Sequence, residues 1–179
     1  MKRYIALLRG VNISGKNKIV MAELKKAFEE AGFLEVKTYL NSGNVIFSSE
    51  KDSIEIITNQ IEEVIKNKFN LNIPVFVISS KRLEEILFHA PTWWGNDDKE
   101  IYDNLILMIP PATFDEVYNE FGKPKEELEK IENYQNAIFW SFNRKNYQKT
   151  NWWSKTANAN IASKLTIRTA NTIKKIVKM

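Results

Sequence analysis

The order in which the hydrophobic spacing changes along residues 1–79 constrains the fold of this chain more than any other feature. Strand-like segments, in which apolar residues run together or alternate, lie at residues 3–8, 36–40, 45–47 and 73–78. Helix-like segments, in which apolar residues share one stripe, lie at residues 21–31 and 54–68. The turn sequence NSGN joins the second and third strand segments into a hairpin. The resulting order, β-α-β-β-α-β, predicts the split βαβ arrangement of a ferredoxin-like fold.

The second half of the chain repeats part of this order without repeating the sequence. A short helix capped by Ser79 or Ser80 is followed by a strand over 102–109 and by a helix between Thr113 and Gly122. A weak strand at 128–131 and a strong one at 137–142 complete the pattern. Residues 155–179 are predicted to form two helices that are broken around residues 166–169.

These patterns predict an α+β protein with two ferredoxin-like (βαββαβ-type) halves and a helical C-terminal tail. We expect residues 1–79 to form the first half, and residues 80–179 to form the second half together with the tail. A chain of 179 residues is long enough for two such halves to bury a core without a disulfide or a zinc ion.

The composition excludes several classes of site. Because the chain has no Cys and a single His, disulfides, iron–sulfur clusters, thiolate zinc sites and a cysteine nucleophile are ruled out. We therefore expect no metal and no cofactor. The apolar run near the N-terminus, Tyr4–Leu8, is too short for a signal-peptide core, and no segment approaches the length of a membrane span. The prediction is a cytoplasmic protein with no membrane partner.

Positive charge is concentrated in two regions. Nine Lys or Arg residues and no acidic residue follow Glu132, and no acidic residue precedes Glu23. Such a distribution creates a field that can concentrate an anionic partner, although lysine-rich surfaces also serve solubility. Nucleic acid or a nucleotide is the candidate partner, and the oligomeric state stays open.

The loop RGVNISGKNK, residues 9–18, is the first candidate site for an anion. It joins a strand to a helix, and its small residues leave room for a phosphate while its cations supply charge. The predicted ligand-binding residues are Arg9, Gly10, Asn12, Gly15, Lys16 and Asn17. The spacing of Gly10, Gly15 and Lys16 fits a phosphate-binding P-loop, but Asn17 stands where that motif needs Ser or Thr. The alternative is a tight connector whose glycines serve only the turns.

Two further sets of residues are candidates. The hairpin contributes the polar residues Tyr39, Ser42 and Asn44, whose alternative role is turn formation. We expect this tip to lie at the opposite end of the sheet from the 9–18 loop. The tail contributes a second patch, in which aromatic rings stand among cations as in proteins that stack single-stranded bases: Trp152, Trp153, Lys155, Arg168 and Lys174. The alternative for the tryptophans is packing in the core.

His89 is the one imidazole and is followed by the sequence APTWWG. A role as general base would need an orienting carboxylate and a cleft. Asp97, Asp98 and Glu100 are near in sequence, but nothing in the sequence shows a contact with His89. We therefore interpret His89 as a capping or packing residue, with catalysis as the alternative.

Residues 9–47 resemble a bacterial family catalogued as domain of unknown function 1697. That family has a loop similar to RGINVGG, a Met-led helix, a GF pair and a T-Y-x-x-SGN hairpin followed by an aromatic residue. The matching positions are Arg9, Gly10, Asn12, Gly15, Asn17, Met21, Gly32, Phe33, Thr38, Tyr39, Ser42, Gly43, Asn44 and Phe47. The chain departs from the family pattern at Ser14 and Thr169. The resemblance implies two ferredoxin-like halves, and it implies no activity.

Three hypotheses of function follow. The first is a binding module for an anionic, phosphate-bearing ligand, either a nucleotide or nucleic acid. The second is a small enzyme that acts on a phosphorylated or anionic metabolite, although the sequence shows no nucleophile–base motif. The third is a non-catalytic protein-interaction domain that uses exposed aromatic residues.

Overall fold

The computed structural model describes residues 1–179, which divide into two compact units. The first unit comprises Met1–Glu85 and Lys175–Met179, and the second comprises Ile86–Lys174. The division falls within the helix α3 (Ser80–Phe88) and again between Lys174 and Lys175, within the last helix of the chain. The predicted boundary after residue 79 stays a prediction.

The first unit contains a four-stranded antiparallel sheet with two helices. Its elements are β1 (Lys2–Leu8), α1 (Met21–Glu30), β2 (Leu34–Tyr39), β3 (Asn44–Ser49), α2 (Ile54–Phe69) and β4 (Val75–Ser79). The strand order is β2-β3-β1-β4, so β1 and β3 are central. Pro74 directly precedes the edge strand β4, as its missing N–H predicts.

Local sequence determines where α2 begins and ends. The side chain of Ser53 accepts a hydrogen bond from the amide of Ile56 and so caps α2. Asn70 ends the same helix in the left-handed conformation. One face of each helix is buried against the sheet: Leu24, Ala27 and Phe28 from α1, and Ile57, Ile61 and Ile65 from α2.

The second unit has a sheet of the same connectivity. Its elements are β5 (Ile101–Met108), α4 (Phe114–Phe121), β6 (Glu129–Tyr134), β7 (Ala137–Asn143), α5 (Trp152–Asn158), β8 (Leu165–Thr169) and α6 (Ala170–Ile176), of which the last two residues belong to the first unit. The strand order is β6-β7-β5-β8. Thr113 and Glu116 form a reciprocal capping box at the start of α4.

Glu129 stabilises the second unit from within. Its side chain is 2% exposed and accepts four hydrogen bonds. The donors are the backbone amides of Lys125, Asn151 and Trp152 and the indole Nε1 of Trp140. A buried carboxylate needs such donors to replace its hydration. Glu129 therefore ties β7 and the segment entering α5 to the start of β6.

The fold class predicted from the sequence is confirmed, because both units carry a four-stranded antiparallel sheet flanked by helices. One local prediction was wrong. Residues 165–169 are not a break between helices but a strand, β8, which pairs with β5 from Asn104↔Thr169 to Met108↔Leu165. No helix has the length and apolar character required to cross a membrane. The cytoplasmic location stays a prediction.

Candidate functional site

The loop after β1 and the tip of the β2–β3 hairpin lie at the same end of the first sheet. β3 is antiparallel to both β1 and β2, and Leu7 pairs with Asn44. The amide of Leu8 donates to the carbonyl of Gly43 at 2.9 Å. The expectation that loop and tip occupy opposite ends was therefore wrong. Since β1 and β2 share an antiparallel partner, they run parallel, and both end where the tip begins. We call residues 9–20 and 39–44 the loop cluster.

Asn12 holds the two parts of the loop cluster together. Its Nδ2 donates to the carbonyl of Asn41 at 2.8 Å and to that of Ile19 at 2.9 Å. Its Oδ1 accepts from the amide of Ile19, also at 2.9 Å. The Nδ2 of Asn17 adds a bond to the carbonyl of Gly10 at 3.0 Å. The side-chain amides of Asn12 and Asn17 therefore form hydrogen bonds within the protein. These bonds fix the conformation of the loop that a ligand would contact.

The predicted hairpin residues also organise the loop cluster. Asn44 is fully buried, and its Nδ2 donates to the carbonyl of Tyr39 at 2.8 Å and to Oγ of Ser42 at 2.9 Å. A Cβ at Gly43 would lie 2.7 Å from Cβ of Leu8, so only glycine allows this close approach of tip and strand. Whether Tyr39 and Ser42 contact a ligand stays a prediction.

Residues 13–16 form the exposed end of the loop cluster. The amide of Lys16 donates to the carbonyl of Ile13 at 2.9 Å, and the two residues between, Ser14 and Gly15, have φ of 50° and 76°. Positive φ at both central positions is typical of a two-residue type I′ turn. The amides of Ser14 and Gly15 form no hydrogen bond within the chain, and both residues are exposed. They are free donors.

The loop cluster has only positive formal charges. Arg9 is half-buried, while Lys16 and Lys18 are exposed. No carboxylate occurs in residues 9–20 or 39–44. The exposed ammonium groups of Lys16 and Lys18, together with the free backbone donors, can bind an anion.

Exposed apolar side chains are the feature of the loop cluster that sequence reasoning missed. Ile13, Val20 and Leu40 are 61%, 59% and 56% exposed. Leu40 also has a φ of 55°, an unfavourable conformation for a residue with a Cβ. The available signal was the position of these residues next to turn-forming polar residues, where no helical or strand pattern requires an apolar side chain.

The residues of the predicted tail patch do not share an exposed surface. Trp152 is fully buried, with its Nε1 bonded to the carbonyl of Gly122, and Arg168 is 9% exposed. Burial lowers the pKa of Arg168 to about 10, so it keeps its charge at neutral pH. The ammonium groups of Lys155 and Lys174 donate to backbone carbonyls of the second unit. Trp153 is the remaining member and is 37% exposed.

His89 lies against an aromatic ring. Its imidazole stacks on Tyr134 with a centroid separation of 4.2 Å and an interplanar angle of 11°. This contact supports the packing interpretation of His89.

We expect Asn12→Gly to lower the free energy of unfolding by about 2 kcal/mol, because three hydrogen bonds are lost while glycine keeps the φ of 55° without strain. Asn12→Ala should cost more, since alanine adds backbone strain. Urea denaturation followed by circular dichroism would measure both. Equal stability of Asn12→Gly and the unsubstituted protein would contradict the assigned role.

Comparisons with known proteins agree with this architecture. A family model described as "Protein of unknown function (DUF1697)" matches residues 1–139. The chain is similar to the solved structure of the conserved bacterial protein SP0830 from Streptococcus pneumoniae, with a TM-score of 0.86 and 29% sequence identity. The match covers 99% of this chain and 97% of that chain. No curated protein matches the chain.

Proposed function

The chain belongs to the DUF1697 family of proteins of unknown function, and from this premise we propose that it is a binding module for a small phosphate-bearing ligand, held at the loop cluster. The observation that carries the proposal is the pair of free amides at Ser14 and Gly15, flanked by Lys16 and Lys18 with no carboxylate in the cluster. A phosphate offers acceptor oxygens to such donors and negative charge to such cations.

The rigidity of the loop cluster supports this proposal. Asn12 and Gly43 tie the loop to the hairpin tip, so the donors are positioned before a ligand arrives. Preorganised donors bind more tightly than mobile ones because less conformational entropy is lost on binding. This is the reason to prefer the loop cluster over the dispersed cations of the tail.

A nucleotide or another small phosphorylated molecule fits better than single-stranded nucleic acid. Binding of single strands relies on exposed aromatic rings on which bases stack. Trp152, the central ring of the predicted stacking patch, is fully buried, and Tyr147 and Phe142 pack against Trp153. The proposed contacts therefore involve only the phosphate group of the ligand.

Docking of an acidic peptide is the second candidate function. Ile13, Val20 and Leu40 supply exposed apolar contacts beside the same cations, which favours a partner that carries both apolar and acidic side chains. The two candidates differ in salt response. Binding through phosphate alone should weaken steeply as salt rises, whereas apolar contacts should persist.

We expect ATP and inorganic pyrophosphate to shift the amide proton resonances of Ser14 and Gly15 in NMR titrations at low salt. Lys16→Ala and Lys18→Ala should each weaken binding about fivefold, since an exposed charge contact contributes up to about 1 kcal/mol. A labelled single-stranded oligonucleotide, followed by fluorescence anisotropy at low and near-physiological salt, tests nucleic acid as the alternative ligand.

Lys26→Ala is the matched control, because it removes one exposed lysine of the first unit that lies on α1 and pairs with Glu30. If it weakened binding as much as Lys16→Ala, binding would reflect net charge and the proposed site would be wrong. Unmoved Ser14 and Gly15 resonances at saturating ATP and pyrophosphate would also overturn the proposal.

A further inference from the structure

A cavity lies entirely within the second unit, beside the start of β5. Its volume is about 300 Å³, the lower end of the range for small-molecule sites. The residues that line it are Asn96, Asp97, Asp98, Lys99, Ile101, Tyr102, Asp103, Arg144, Thr169, Ala170 and Asn171. The lining therefore combines cations, carboxylates and an aromatic ring in a space suited to a small metabolite.

Arg144 supplies an available guanidinium to this cavity. The guanidinium carbon lies over the ring of Tyr102, 4.5 Å from its centroid, and that ring meets Phe142 edge-on at 5.5 Å. The backbone amide of Arg144 donates to the carbonyl of Glu100 at 2.8 Å. No ion pair and no hydrogen bond within the chain uses the guanidinium. A supported arginine with free donors suits a carboxylate or phosphate, which it can bind with two parallel bonds.

The carboxylates of the cavity provide the opposite charge. Asp97 is exposed and makes no ion pair, and Asp98 is exposed while its Oδ1 accepts from the amide of Glu100 at 2.9 Å. Neither is paired with Arg144, so both signs of charge remain available in one cavity. Asp103 differs, because its oxygens already accept from Oγ of Ser141 and from the amide of Gly95.

The acidic residues do not indicate a metal site. No group of three His, Cys, Asp or Glu side chains is arranged to hold an ion. A purely anionic ligand would be repelled by Asp97 and Asp98, and a purely cationic one by Arg144 and Lys99. A molecule that carries one negative and one positive group can pair with the cations and the carboxylates of the cavity at the same time.

We propose that this cavity binds a small zwitterion of the amino-acid class. The carboxylate of the ligand pairs with the guanidinium of Arg144, and its ammonium group pairs with the carboxylates of Asp97 and Asp98. The volume limits the ligand to the size of a free amino acid or a comparable ω-amino acid. The proposal is independent of the loop cluster, because every lining residue belongs to the second unit.

The test is an NMR titration of the full chain with glycine, β-alanine and γ-aminobutyrate, which differ in the spacing of their charges. Butyrate and butylammonium carry one charge each and serve as the single-charge probes. We expect at least one zwitterion to shift the amide resonances of residues 96–103 at millimolar concentration. Butyrate and butylammonium match γ-aminobutyrate in chain length. Each should bind at least tenfold more weakly than the zwitterion that binds best.

Two variants test which side chains of the cavity bind the charged groups of the ligand. Arg144→Gln should weaken zwitterion binding roughly tenfold, and Asp97→Asn combined with Asp98→Asn should do the same. Lys145→Gln is the control, because this adjacent exposed lysine pairs with Glu100 and does not line the cavity. The proposal is overturned if none of the three zwitterions shifts these resonances, if butyrate binds as well as γ-aminobutyrate, or if Arg144→Gln binds like Lys145→Gln.

Discussion

Glu129→Ala is expected to lower the free energy of unfolding of the second unit by about 4 kcal/mol. The substitution leaves four donors without an acceptor, of which the Nε1 of Trp140 and the amide of Trp152 are buried and the other two are part-buried. It also removes the side chain that fills this site. The loss of hydrogen bonds and the unfilled volume act in the same direction.

Urea denaturation followed by tryptophan fluorescence measures this effect selectively, because all five tryptophans lie in the second unit. Glu129→Gln keeps the shape and one acceptor oxygen, so about half of the loss is expected. Glu127→Ala, an exposed neighbour, should change stability by less than about 0.5 kcal/mol. A Glu129→Ala protein as stable as Glu127→Ala would refute the role given to this carboxylate.

Gly43→Ala is expected to lower the free energy of unfolding of the first unit by about 3 kcal/mol. Gly43 has a φ of 75°, which strains any residue with a Cβ, and its added Cβ would lie 2.7 Å from that of Leu8. The hairpin tip must then move away from β1. That movement breaks the bond from the amide of Leu8 to the carbonyl of Gly43 and displaces the loop cluster.

Gly15→Ala is the control for backbone strain alone. Its φ of 76° is nearly the same, but a Cβ there meets no atom within 4 Å. The expected loss is about 1 kcal/mol. Thermal or urea unfolding followed by circular dichroism would compare the two variants, and hydrogen exchange at the amide of Leu8 would report the displaced tip. Equal losses in both variants would show that the close approach to Leu8 has no energetic importance.

Local sequence patterns predicted most of the secondary structure because the causes were local. The side chains of Ser53 and Thr113 cap helices through neighbours three residues away. The turn between β2 and β3 includes Gly43, which adopts its φ of 75° without strain. β8 was missed because its five residues form a strand through pairing with β5, about sixty residues earlier in the chain.

The candidate site could be predicted in part. The loop at 9–18 and the tip at 41–44 were both identified as polar turns. Their contact was not predicted, because it depends on β1 and β2 both pairing antiparallel with β3, and the tip was expected at the opposite end of the sheet. The bond from Asn12 to Asn41 spans 29 residues. The cavity beside Arg144 was not predicted at all, since Tyr102 and Arg144 meet only through the pairing of β5 with β7.

The sequence by itself determined the order of strands and helices, the helix caps, the hairpin and the family, because each depends on spacing or on short motifs. Only the tertiary structure decided which residues are available to a ligand. Trp152 and Trp153 are identical neighbours in the sequence, yet one is fully buried and the other is 37% exposed. Arg168 and Arg144 differ in the same way, one buried and the other an exposed wall of a cavity. The physical reason is that burial and hydrogen bonding are set by atoms brought together from distant parts of the chain.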